Sequence, residues 1–115
     1  MNSDLKDRTK KFSLAVIDFY NILPKGMVFH VLGKQLLRSG TSVGANTRSA
    51  FRGGSTKEFI AKIGIVIEEA DESIFWCELL EEQKEILKTD ELKWLKKEAD
   101  EIVAIFTSIS KNSKK

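Results

Sequence analysis

One proline and one glycine pair decide most of what this chain can become. In 115 residues, Pro24 and Gly53-Gly54 are the strongest breakers of regular structure, with a softer break around Lys88-Thr89-Asp90. Three breaks leave four long segments, and the apolar residues inside them recur at helical spacing, with no strand-like alternation to compete. Helix 1 is expected over about 5–22, where Phe12, Val16, Phe19 and Leu23 step by 4, 3 and 4 and Ala15 and Tyr20 widen the stripe. Leu23-Pro24-Lys25-Gly26 makes the first turn, because a residue before proline avoids helical backbone. Helix 2 is expected over about 27–52, apolar in its first half (Val28, Phe29, Val31, Leu32, Leu36, Leu37) and capped by Gly53 in a left-handed conformation. Helix 3, about 55–88, opens on the capping box Ser55-Thr56-Lys57-Glu58 and carries the stripe Phe59, Ile63, Val66, Ala70, Ile74, Cys77. Helix 4, about 90–110, starts with Asp90 and Glu91 at the positive end of its dipole. Its Leu92, Leu95, Ala99, Ile102, Phe106 and Ile109 step by 3, 4, 3, 4, 3, a coiled-coil-type seam. Short connections between long helices make neighbours antiparallel. The expected fold is one all-α domain over 1–115, an up-down-up-down antiparallel four-helix bundle, ending in a frayed basic tail from Lys111.

Composition narrows the chemistry. Apolar residues make up 42% and charged residues 31%, as in a highly charged helical protein. No apolar run approaches the ~20 residues of a membrane span. The start, Met1-Asn2-Ser3-Asp4, has no signal-peptide character, so a cytoplasmic location is expected. Cys77 is the one cysteine and His30 the one histidine, which leaves no internal disulfide and no ordinary metal-ligand spacing. Neither a metal nor another cofactor is expected. Cys77 reads as a small core residue, His30 as an ordinary helix residue, and Trp76 and Trp94 as packing or interface anchors.

The net charge of +2 is too small for a polycation argument, so the placement of charge matters. The bundle topology brings the start of helix 1 (Lys6, Arg8, Lys10, Lys11), the helix 2–3 turn (Arg48, Arg52, Lys57) and the C-terminal tail (Lys111, Lys114, Lys115) to one end. These are more than half of the 19 Lys and Arg, and the nearby acids are Asp4, Asp7 and Glu58. The other end collects Glu78, Glu81, Glu82, Glu85, Asp90 and Glu91, offset by Lys25, Lys84, Lys88 and Lys93. A basic end of this kind suits sequence-independent contact with phosphates.

The segment Leu36 to Asn46 interrupts helix 2 with polar side chains and glycines, each glycine costing roughly 1 kcal/mol against alanine in a helix interior. In the helix 2–3 hairpin, facing residues have numbers summing to roughly 108. That sets Arg38 beside Glu69 or Glu72 and Asn46 level with Lys62, and gives a polar seam of Arg38, Ser42, Asn46, Glu69 and Glu72. An arginine fork suits two carboxylate oxygens, and such a pair specifies register more than it adds stability. Gly33, Gly40 and Gly44 are spaced along a helix, so they form no phosphate loop; close approach of a helix or subunit explains them better. No nucleophile with a base accompanies the seam, and no catalytic residue is assigned.

The same residues carry a family likeness. Arg38-Ser39-x-x-Ser42-Val43-x-x-Asn46 resembles the signature of the bacterial four-helix-bundle proteins encoded in intervening sequences of large-subunit ribosomal RNA. Ser55-x-x-Glu58-Phe59 and Glu69-Ala70-x-Glu72-Ser73-x-x-Trp76 are similar to that family's third helix, and the likeness covers nearly the whole chain. After the signature the family commonly carries a glutamate, whereas Asn46-Thr47-Arg48-Ser49-Ala50 here makes the end of helix 2 more basic. The resemblance implies a four-helix bundle assembling as a ring-like homopentamer, with nucleic-acid association. A related branch serves as accessory proteins of diversity-generating retroelements, with a reverse transcriptase and nucleic acid as partners. The resulting expectation is a non-enzymatic, oligomeric bundle that binds RNA or DNA through Lys10, Lys11, Arg48, Arg52 and Lys57. The alternative is a protein-interaction scaffold or accessory subunit without nucleic-acid contacts of its own.

Overall fold

A computed structural model of the chain describes residues 2–84 and 90–114. Among these residues the structure is four helices and no strand: α1 (Asn2–Asn21), α2 (Met27–Ala50), α3 (Thr56–Glu81) and α4 (Asp90–Ser113). Each helix packs on the next, and α4 returns to α1 to close the bundle, with α1 and α4 touching least. The rod measures 47 × 21 × 19 Å. None of the helices is long and apolar enough to cross a membrane.

The turns follow from local chemistry, with corrections to the expected boundaries. Gly26, at φ 140°, precedes α2 in a conformation closed to most side chains. α2 ends at Ala50, two residues before the expected 52, with Phe51 as its C-cap. Gly53 is therefore not the cap: Gly53 and Gly54 share the reversal, both at φ 111°. Ser55 caps α3, its hydroxyl accepting from the Glu58 N–H at 3.1 Å. The Phe51 and Phe59 rings meet at 5.5 Å and close the foot of the hairpin. α3 stops at Glu81 with Glu82 as C-cap, well before the expected 88; the end of that stretch and the break at Lys88-Thr89 lie outside the described residues. α4 runs on to Ser113, so most of the expected tail is helix.

The core is a layered seam in every helix, mostly apolar but completed at some positions by Thr and Ser. In α2 the buried positions Phe29, Gly33, Leu36, Gly40, Val43, Thr47 and Ala50 alternate in steps of four and three, while Val28 and Val31 face outward. In α3 they are Ile63, Val66, Ala70, Ser73, Cys77 and Leu80, so Ser73 and not Ile74 holds the seam. In α1, Leu5 and Thr9 extend Phe12, Val16 and Phe19, and at the end of α4 Ser110 lies deeper than Ile109. These buried hydroxyls bond back into their own helices: Thr9 to the Leu5 carbonyl, Thr47 to Val43 and Ser73 to Glu69, each at 2.8 Å. Ser39 and Ser73 also meet across α2 and α3 at 2.8 Å. Among the described residues, every buried side-chain polar atom has a partner.

The glycines set the α1–α2 spacing. A Cβ on Gly33 would lie 2.6 Å from Leu23 Cδ1, on Gly40 2.6 Å from Val16 Cγ2, and on Gly44 2.6 Å from Ser13 Oγ. All three face α1, and Ser13 donates to the Gly40 carbonyl across that contact at 2.8 Å.

Candidate nucleic-acid interface

The close approach of α1 to α2 shapes the basic end. Lys6 and Lys10 are one turn apart on α1, and Arg48 and Arg52 have the same spacing at the end of α2. Their side chains line an open cleft of about 470 Å³ whose walls also include Ser13, Thr41, Gly44 and Ala45. Among the described residues, Asp7 is the one carboxylate in its lining. Both hydroxyls are spent on backbone carbonyls, Ser13 on Gly40 and Thr41 on Leu37 at 2.7 Å, which leaves the four cations to set the cleft's character. Among the described residues none of the four enters an ion pair. Arg48 and Arg52 also lie where the negative pole of α2 favours a cation. Antiparallel neighbours cancel each other's dipoles, so the field at this end comes chiefly from side chains.

Of the residues expected to bind nucleic acid, Lys10, Arg48 and Arg52 meet in the cleft, and Lys6 joins them. Lys11 and Lys57 are exposed at the same end but do not line it. Arg8 leaves the basic inventory. Its Nε and Nη2 donate to the two oxygens of Glu98 at 2.8 Å each, and Nη2 also reaches Glu101 at 2.8 Å. Those bonds raise the Arg8 pKa above the ordinary arginine value, the Glu98 bond most. Antiparallel pairing of helix 1 with helix 4, the arithmetic that found Arg38's partners, was the signal available for this fork.

The polar seam forms in part. Arg38 donates to Glu69 at 2.9 Å and pairs with Glu72, whose carboxylate also accepts from Trp76 Nε1 at 3.0 Å. Ser42 and Asn46 do not reach across: Asn46 Nδ2 donates to the Ser42 hydroxyl at 2.8 Å and to its carbonyl at 3.0 Å, both within α2. The buried cross-link beside Arg38 is instead Ser39–Ser73. Arg38 is half exposed, so the pairing contributes modestly. A double-mutant cycle of Arg38→Ala and Glu69→Ala in urea is expected to give a coupling of about 0.5 kcal/mol; strictly additive losses would remove the pairing.

Burial pushes the Cys77 thiol up to about 12, far from a thiolate at neutral pH. The Tyr20 hydroxyl lies 3.4 Å from His30 Nδ1 on the surface. Among the described residues no cluster of three His, Cys, Asp or Glu side chains is placed to hold a metal ion. On the acidic side, Glu81 accepts from Lys96 at 2.8 Å, a bond that raises the Lys96 pKa.

Fold and site together define a helical bundle with a basic cleft between its first two helices. The chain belongs to the 23S rRNA-intervening sequence protein family, whose model matches residues 1–108. It is similar to a protein of unknown function from the S23 ribosomal protein family of Bacteroides thetaiotaomicron VPI-5482, solved at 1.70 Å resolution. That likeness has 34% identity and a TM-score of 0.85, covering 96% of this chain and 97% of the other. No curated protein matches the chain in sequence.

Proposed function

We propose that this protein is a non-enzymatic, cytoplasmic, self-associating bundle that binds RNA or DNA by its phosphate backbone. One observation carries the reading: Lys6, Lys10, Arg48 and Arg52 converge on one cleft against a single carboxylate. Among the described residues no aromatic side chain lines that cleft, so it offers bases no platform to stack on and recognition is largely independent of sequence. Assembly as a homopentamer would set several such clefts side by side and strengthen their common field. The family description names 23S rRNA, which makes a fragment of that RNA the first probe.

Neutralising about four phosphates gives a salt slope of about −2.8 for a single strand and about −3.6 for a duplex. Affinity for the fragment is therefore expected to fall about 50- to 150-fold between 50 and 200 mM salt. A flat response by fluorescence anisotropy would refute the reading. The second reading, a scaffold or accessory subunit such as one serving a reverse transcriptase, is favoured by the exposed Met27, Val28, Val31 and Phe75, which suit protein contact. It predicts no salt-dependent binding of nucleic acid at all.

A further inference from the structure

The α1–α4 seam is closed in one half and open in the other. Toward the basic end, the Arg8 fork on Glu98 and Glu101 ties the two helices together. Toward the opposite end no such tie exists among the described residues, and the helices part around a groove of about 530 Å³. Its floor is apolar, formed by Ala15, Phe19 and Leu95. Ile22, 59% exposed, and Trp94, 45% exposed, stand at its sides. Asp18, Asp90 and Glu91 complete the lining, and none of them has an ion-pair partner among the described residues, although Arg8, Arg38 and Lys96 are all paired elsewhere.

Helix electrostatics account for Asp90 and Glu91, which begin α4. They do not account for Asp18, in the last turn of α1, where the dipole disfavours an anion and no basic residue offsets it. An apolar trough with exposed isoleucine and tryptophan sides, whose charged lining among the described residues is Asp18, Asp90 and Glu91, is complementary to one kind of occupant: apolar side chains flanked by Lys or Arg.

We propose that the α1–α4 groove docks a short cationic amphipathic helix of a partner protein. Leucine-like anchors fill the space over Phe19 and Leu95, lysines or arginines face Asp18, Asp90 and Glu91, and a cation stacks on Trp94. This site lies on the other side of α1 from the basic cleft and stands independently of nucleic-acid binding.

The probe is a synthetic helix with leucines at i, i+3, i+4 and i+7 and lysines elsewhere. It is titrated into the full chain carrying Trp76→Phe, so that Trp94 is the sole tryptophan reporter. Saturable binding with a blue shift of Trp94 emission is expected, weakened at least tenfold by Ile22→Ser and by Asp18→Lys. Asp18→Lys relieves the helix-dipole conflict, so it keeps the readout if Ile22→Ser perturbs folding. A glutamate version of the helix is expected not to bind. No saturable binding, equal binding by a lysine helix with serine in place of leucine, or indifference to both substitutions would overturn the proposal. So would sedimentation showing that either substitution dissolves a self-associated form of the free protein, because the groove would then hold a second copy of this chain.

Discussion

Gly40→Leu is expected to destabilise the bundle by more than about 3 kcal/mol, at the severe end of overpacking. A Cβ alone at this position would lie 2.6, 2.9 and 3.0 Å from Val16 Cγ2, Cγ1 and Cβ. Val16 is fully buried and β-branched, so these atoms cannot swing aside as a long side chain's end would. Relief requires α1 to lift from α2, which loosens the contact closed by Ser13 and the Gly40 carbonyl. Even Gly40→Ala is expected to lose about 1 kcal/mol, the clash exceeding the helix-propensity gain of similar size. Gly64→Ala provides the opposite sign. A Cβ there meets nothing within 4 Å, so it is expected to gain about 0.5–1 kcal/mol. Urea unfolding followed by circular dichroism compares the two alanine variants. A stability gain in both would show that the close α1–α2 contact is absent in solution.

The double charge reversal Arg48→Glu/Arg52→Glu is expected to weaken RNA binding by at least about a hundredfold while leaving the fold intact. The cleft lining turns from three net positive charges to one net negative charge, and a phosphate backbone then meets repulsion. Both side chains are exposed, and the penalty of anions at the end of α2 is about 0.3–1 kcal/mol each. Lys84→Glu, an exposed change at the opposite end, serves as the control and is expected to alter affinity little. Anisotropy at fixed salt, with the melting temperature checked in parallel, measures the effect. A folded double variant binding as tightly as the parent would move the interface away from the cleft.

How far the sequence reveals this molecule depends on the kind of signal sought. Helix number, order and antiparallel pairing follow from Pro24, Gly53-Gly54 and the periodic apolar residues, and the hairpin arithmetic placed Arg38 beside Glu69 and Glu72. The seam was harder to see. Spacing of three and four runs unbroken through Gly33, Gly40 and Thr47 in α2 and through Ser73 in α3. Attention to greasy residues picked Val28, Val31 and Ile74 instead. A hydroxyl that bonds its own helix carries little polarity into the core, and a glycine there signals proximity more than weakness. The cleft was legible in part: sequence places Lys6, Lys10, Arg48 and Arg52 at one end, but only the packing of α1 on α2 makes Lys6 part of the cleft and sets Lys11 and Lys57 apart. Arg8 was unreadable from local charge because its partners are 90 and 93 residues away.

That distance has a kinetic meaning. The α1–α4 seam joins the parts of the chain farthest apart in sequence, and it has the smallest contact between neighbouring helices. Closing a loop of 90 residues costs about 1 kcal/mol more in chain entropy than closing one of roughly 30, the separation across the α1–α2 and α2–α3 hairpins. Helices that pair with their sequence neighbours need no such search, so the three neighbouring contacts are expected to form readily and the seam between first and last helix to complete last. The same join is where the native molecule is expected to open first, and hydrogen exchange with faster amides in α1 and α4 than in the α2–α3 hairpin would show it. Arg8 thus ties the bundle's least-joined seam at its basic end.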